Sequence, residues 1–83
     1  MDQKYIIHCK SVVQLGDEIK KAVDNYWNRE ITDIKLKELL YAWAKTGKLF
    51  KGTDYNKTIN KLCGKSRMSV VEKLLEGYQH KLL

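Results

Sequence analysis

Proline is absent from this chain of 83 residues, and glycine occurs only at 16, 47, 52, 64 and 77. Between these few punctuation marks the apolar residues recur at intervals of three and four, which predicts helices connected by short joints. Cysteine is scarce as well. Cys9 and Cys63 stand 54 residues apart, a spacing unlike a disulfide framework, so reduced thiols in a cytoplasmic protein are expected. No apolar run approaches the ~20 residues that span a bilayer. The N-terminal stretch Tyr5-Ile6-Ile7-His8-Cys9 is five residues long, and neither a membrane segment nor an export signal is expected from it.

Soft metal ligands are equally few. His8, Cys9, Cys63 and His80 are the whole set, and no pair falls at the spacing of a structural zinc site. Cys63 and His80 sit on neighbouring predicted helices, but no third group is placed to orient them as a nucleophile pair. Gly64-Lys65-Ser66 resembles the end of a phosphate-binding loop. That loop would need its earlier glycine at Ile59 and a strand before it, so nucleotide hydrolysis is excluded. Asp17, Glu18 and Asp24 lie near Lys20 and Lys21 at helical spacings, and surface ion pairing accounts for them. The chain is read as no enzyme, with no metal and no cofactor.

The most informative scarcity is of acid in one stretch. Between Lys45 and Val71 there are seven basic residues (Lys45, Lys48, Lys51, Lys57, Lys61, Lys65, Arg67) and one acid, Asp54, an excess of +6 that equals the formal net charge of the chain. The rest carries nine bases and nine acids. A dense field of one sign concentrates anions at its surface, which points to a polyanionic partner.

What is present is enough for a core: 43% of residues are hydrophobic, with five tyrosines, two tryptophans and one phenylalanine. A chain of this size hides only about 60 to 65% of its extended surface on folding, so a single domain over residues 1–83 of modest stability is expected. Ser11 is placed to cap a first helix with Val12, Leu15, Ile19, Val23 and Tyr26 or Trp27 inward. Gly16 inside it costs the helix about 1 kcal/mol relative to alanine, and the backbone is expected to be closely approached there. Thr32 caps a second, with Leu36, Leu39, Leu40 and Trp43 inward and Gly47 as its left-handed stop. Leu49 and Phe50 pin a short connection. A third helix begins at Thr53 or Asp54, with Tyr55, Ile59, Leu62 and Cys63 on one side, and ends at Gly64. A fourth carries Met68, Val71, Leu75, Tyr78 and Leu82. The fold class is all-α: a small bundle of about four helices with a helix-turn-helix-like corner and a short extended N-terminal arm.

At that corner Lys57, Lys61, Lys65 and Arg67 converge on one helix start. With Ser66 as its cap, the free backbone N–H groups of that helix add to the side-chain charge and suit a phosphate. Ser69 and Lys73 follow on the face away from Met68, Val71 and Leu75. A compact repressor-type unit would place small or apolar residues near 60, 65, 70 and 73, where this chain has Asn60, Lys65, Val70 and Lys73, so the turn is looser than that. Among the aromatics, Tyr26, Trp27, Tyr41 and Trp43 cannot all share one narrow stripe, and they are the candidate interface residues for a partner or a second subunit.

The Tyr26-Trp27 pair, the Leu49-Phe50-Lys51-Gly52 connection with Tyr55 behind it, and Cys63-Gly64-Lys65-Ser66-Arg67 opening the last helix resemble a family of short, uncharacterised proteins of clostridia and related Firmicutes, some of them on mobile elements. The resemblance covers nearly the full chain and implies a bacterial cytoplasmic or element-encoded accessory protein. It supplies no ligand-contacting residue. Two functions follow as expectations. One is a basic helical protein that binds nucleic acid, double-stranded DNA foremost, through Lys57, Lys61, Lys65, Ser66, Arg67, Ser69 and Lys73, with Lys45, Lys48 and Lys51 as additional basic surface, acting as a homodimer in a regulatory or accessory role. The other is a protein-interaction module, an adaptor or inhibitor that binds an acidic partner in transcription or in phage or host defence.

Overall fold

Ser11 opens the first helix, α1 (Val12–Trp27), by accepting the Gln14 N–H at 3.1 Å, while Gln14 Oε1 accepts the Lys10 N–H at 2.7 Å. This reciprocal cap satisfies two donors that the helix cannot. The computed structural model describes residues 5–51 and 54–76. Leu15, Ile19 and Val23 are fully buried, as their spacing predicts, and the stripe fades at its end, where Tyr26 is half-buried and Trp27 is 47% exposed. Beyond α1 the Glu30 N–H bonds to Asn25 O at 2.8 Å and the Arg29 N–H to Tyr26 O at 3.0 Å. Arg29 thereby takes φ +65° in the position that glycine usually fills, a conformation that costs an L-residue about 1–2 kcal/mol.

Thr32 caps α2 (Asp33–Lys45) through the Lys35 N–H at 3.1 Å. Leu36, Leu39, Leu40 and Trp43 are all buried, and Gly47 follows the helix at φ +88°. Leu49 then enters the core, and β1 (Phe50–Lys51) pairs antiparallel with β2 (Asp54–Tyr55), Phe50 opposite Tyr55 and Lys51 opposite Asp54. The purely helical expectation misses this hairpin. Asp54 and Tyr55 belong to a strand because pairing brings the Phe50 and Tyr55 rings to 4.8 Å, and the Asn56 N–H closes on Leu49 O at 2.8 Å. Asn56 is accordingly the cap of the next helix, accepting the Thr58 N–H at 2.9 Å, and not Asp54. Thr53 lies outside the described residues.

The segments expected as third and fourth helices run as one, α3 (Lys57–Leu74), divided at Gly64 with φ +81° and ψ 167°. That region of backbone space is open essentially to glycine alone. A single residue therefore makes the joint, and among the described residues the Ser66 hydroxyl caps no backbone N–H; Ser66 lies exposed just inside the second segment. Ile59 and Cys63 are buried before the break, and Met68, Val71 and Leu75 after it, as their spacing predicts. Tyr78 and Leu82 lie outside the described residues.

α3 is the main neighbour of α1. They meet at Gly16, where an added Cβ would lie 2.6 Å from Leu62 Cδ1 and 3.2 Å from Leu62 Cβ. The N-terminal arm is irregular, with bends at Ile7, His8 and Lys10 and no strand among its described residues, so the extended arm expected from the sequence is not what forms. Ile6 anchors it twice: its N–H donates to Glu18 Oε1 at 3.0 Å, and its carbonyl accepts the Trp43 Nε1–H at 2.8 Å. Tyr5 packs edge-on to Trp43 at 6.2 Å, and its hydroxyl accepts a bond from Asn25 Nδ2 at 2.7 Å. Replacing Gly64 by alanine meets no steric obstacle, since nothing lies within 4 Å of the added Cβ. The loss is conformational: urea unfolding of Gly64→Ala is expected to show a decrease of roughly 1–3 kcal/mol.

Candidate nucleic-acid interface

Helical geometry sets which lysines reach solvent. In the first segment of α3, Ile59 and Cys63 turn inward, so Lys57 and Lys61, two residues away on either side, fall on the opposite strip. In the second segment Met68, Val71 and Leu75 turn inward, which leaves Lys65, Ser69 and Lys73 exposed at four-residue steps. Among the described residues none of these four lysines makes an ion pair. Lys51 joins them at the hairpin end, where it lines a cleft of about 400 Å³ with Lys57, Thr58, Tyr55 and Asp54. A second cleft, about 390 Å³, spans the Gly64 joint and is lined by Asn60, Lys65, Met68, Ser69 and Glu72. The carboxylate of Glu72 dilutes the positive field between Lys65 and Lys73.

Arg67 is placed elsewhere. Its Nε and Nη2 donate to the two oxygens of Asp24 at 2.9 and 3.1 Å, and Nη1 donates to the Cys63 carbonyl at 3.0 Å. The guanidinium also stands 5.9 Å from the centre of the Trp27 ring. Three of its donors are engaged within the fold, so the expected phosphate contact at Arg67 is corrected to an α1–α3 clamp. Asp24 in turn is not the partner of a helix-surface lysine. Glu18 keeps the expected pairing, meeting Lys21 at 3.3 Å, but it is also buried, 8% exposed, and holds the arm through Ile6.

The remaining candidates are dispersed. Lys45 lines an apolar cleft on the arm side with Ile7, His8, Glu38 and Tyr41. Lys48 lies where its charge is felt by Cys9. Trp43, a candidate interface residue, is fully buried in the core with its indole N–H bonded to Ile6, so that assignment is corrected. Tyr41 is half-buried beneath the Lys37 ammonium, 5.7 Å from its ring centre. Tyr26 is half-buried against the core, and of the four only Trp27 is largely exposed.

Residues 6–76 match the model of a family described as conserved hypothetical protein, CLB_0814_fam. The chain belongs to this family. No curated protein and no solved structure matches it. The family span takes in Ile6 of the arm, the Gly16 contact and the whole Gly64 joint. No helix among the described residues is long and apolar enough to cross a membrane.

The clamp carries stability and the thiol beside it carries pH dependence. Burial pushes the Cys63 thiol up to about 11, with Asp17 and Asp24 adding to the effect and Arg67 and Lys20 opposing it. The thiol, not the thiolate, is the form at neutral pH, and the thiolate is the nucleophile; His80 lies outside the described residues. Because the folded value is the higher one, the contribution is complete below the unfolded value of 9.0 and is lost as pH rises toward about 11. Urea midpoints are expected to fall over that interval, and less steeply in Cys63→Ser. Arg67→Ala and Asp24→Ala are each expected to cost about 1 kcal/mol, the double variant costing less than their sum, because the pair is bidentate but partly exposed.

Proposed function

We propose that the protein binds double-stranded DNA through phosphate contacts from the exposed lysines of α3. The observation that carries this reading is the run Lys57, Lys61, Lys65, Lys73, exposed and free of ion pairs among the described residues, with Lys51 beside Lys57 at the hairpin. Within the first segment Lys57 and Lys61 stand one four-residue step apart, about 6 Å along the axis, and within the second Lys65 and Lys73 stand two such steps apart, so each segment offers lysines at separations that suit a charged backbone. The Gly64 joint gives the run two segments with a cleft between them, a helix-turn-helix-like corner with a one-residue turn. Ser69 lies in that cleft, where its hydroxyl suits a sugar, phosphate or base-edge contact. Membership of a clostridial or mobile-element lineage would fit an accessory or regulatory role of this kind. The reading as an adaptor for an acidic protein draws on Trp27, whose exposure leaves one aromatic anchor at the surface.

Fluorescence anisotropy of a short labelled duplex across salt concentrations tests the reading. With four contacts and Arg67 withdrawn, the logarithm of the binding constant is expected to fall with the logarithm of salt at a slope of about −3 to −4. The triple variant Lys57→Glu, Lys61→Glu, Lys65→Glu is expected to remain folded and to lose the bulk of the binding, whereas Arg67→Ala keeps the slope. Unchanged affinity in the triple variant overturns the proposal. Single-stranded DNA and RNA of equal length belong in the same titration, and tighter binding to either replaces the duplex as the ligand.

A further inference from the structure

The turn between α1 and α2 has features that the lysine run does not use. Trp27 is 47% exposed, and it lines a shallow cleft of about 480 Å³ with Tyr26, Arg29, Ile31, Thr32 and Asp33. Tyr26 and Ile31 are half-buried on the core below it, and Ile34, the residue after Asp33, is 68% exposed. Two opposite charges, Arg29 and Asp33, stand on the rim of this cleft. Neither makes an ion pair among the described residues; Asp33 Oδ1 only accepts the adjacent Ile34 N–H at 2.9 Å. Arg29 moreover occupies a left-handed position, φ +65°, where glycine would be relaxed, and among the described residues its side chain makes no ion pair that offsets that strain.

We infer that this corner is a self-complementary face that joins two copies of the chain about a two-fold axis. In an isologous contact, residue i meets residue j and j meets i. Arg29 of each copy then meets Asp33 of the other, two ion pairs from one, around an apolar centre formed by Trp27 and Ile31. Charge selects a second copy over a polyanion. Residues 24 to 35 hold three acids (Asp24, Glu30, Asp33) and two bases (Arg29, Lys35), and with Arg67, which pairs with Asp24 over Trp27, the corner is neutral in a chain of +6. This is a place where two such chains approach with little repulsion, and a nucleic acid finds little attraction there. The inference stands apart from the reading of α3 as a DNA surface, because α3 contributes to this corner only the Arg67 guanidinium over Trp27.

Sedimentation equilibrium of the full chain, without nucleic acid, reads the outcome. The expected result is a concentration-dependent mass rising to twice the 9.7 kDa of the chain. Arg29→Asp and Asp33→Arg are each expected to weaken association by about tenfold or more. The double variant, and equally a one-to-one mixture of the two single variants, restores it, since each arrangement again sets opposite charges across the axis. Circular dichroism confirms that the exposed substitutions leave the helices intact, and Trp27→Ala supplies a second variant that removes the apolar centre without touching the charges. A wild-type chain that stays monomeric at its solubility limit overturns the proposal, as does a dimer indifferent to both reversals and to Trp27→Ala.

Discussion

The close approach of α1 to α3 at Gly16 decides where the rest of the molecule faces. A side chain at that position would occupy the space of Leu62, 2.6 Å from its Cδ1. With glycine there, Leu62 packs onto the α1 backbone and the Cys63 thiol stands 3.7 Å from the Gly16 carbonyl. Seating this side of α3 on α1 orients the first segment, and the opposite strip, with Lys57 and Lys61, then faces water as a consequence of helical geometry. The price of a helix-interior glycine, about 1 kcal/mol against alanine, is offset by burial at the seam.

Charge is divided between building the fold and remaining free. Arg67 is spent on Asp24 and the Cys63 carbonyl, and Glu18 on the arm and Lys21. Such engaged groups give orientation: Asp24 and Arg67 fix the rotation of the second segment of α3 relative to α1, beyond the joint that Gly64 makes. The α3 lysines are left out of this network among the described residues. The basic stretch is thus less concentrated in space than in sequence, since Lys45 and Lys48 face the arm side while Lys51, Lys57, Lys61 and Lys65 follow the hairpin and α3.

The arm shows how a chain this small covers its largest core residue. Trp43 is fully buried, and its indole N–H needs a partner once removed from water. Ile6 supplies the carbonyl and Glu18 takes the Ile6 N–H, so one residue of an otherwise irregular segment has both backbone groups satisfied. Tyr5 closes over the indole edge and is itself held by Asn25.

Local signals were legible in the amino-acid order: the caps at Ser11 and Thr32, the inward stripes of α1 and α2, the close contact at Gly16, the stop at Gly47 and the break at Gly64. Each depends on residues within a turn or two of one another, and backbone sterics or helical periodicity suffices to read them. The hairpin was not legible, because two-residue strands have no period and form through pairing across the turn, with the Phe50–Tyr55 ring contact and the Asn56 N–H bond to Leu49 O. Nor were the long-range bonds of Arg67 to Asp24, Glu18 to Ile6 and Trp43 to Ile6, which span 43, 12 and 37 residues along the chain. Sequence by itself determined the helices α1 and α2 and the body of α3, though not its start, which of their faces are apolar, and that the surplus positive charge falls between 45 and 71. Tertiary packing alone decided which of those charges stay free, because an ion pair depends on separation in space, and the approach of α1 to α3 is what brings Asp24 to Arg67 and leaves the lysines beside it facing outward.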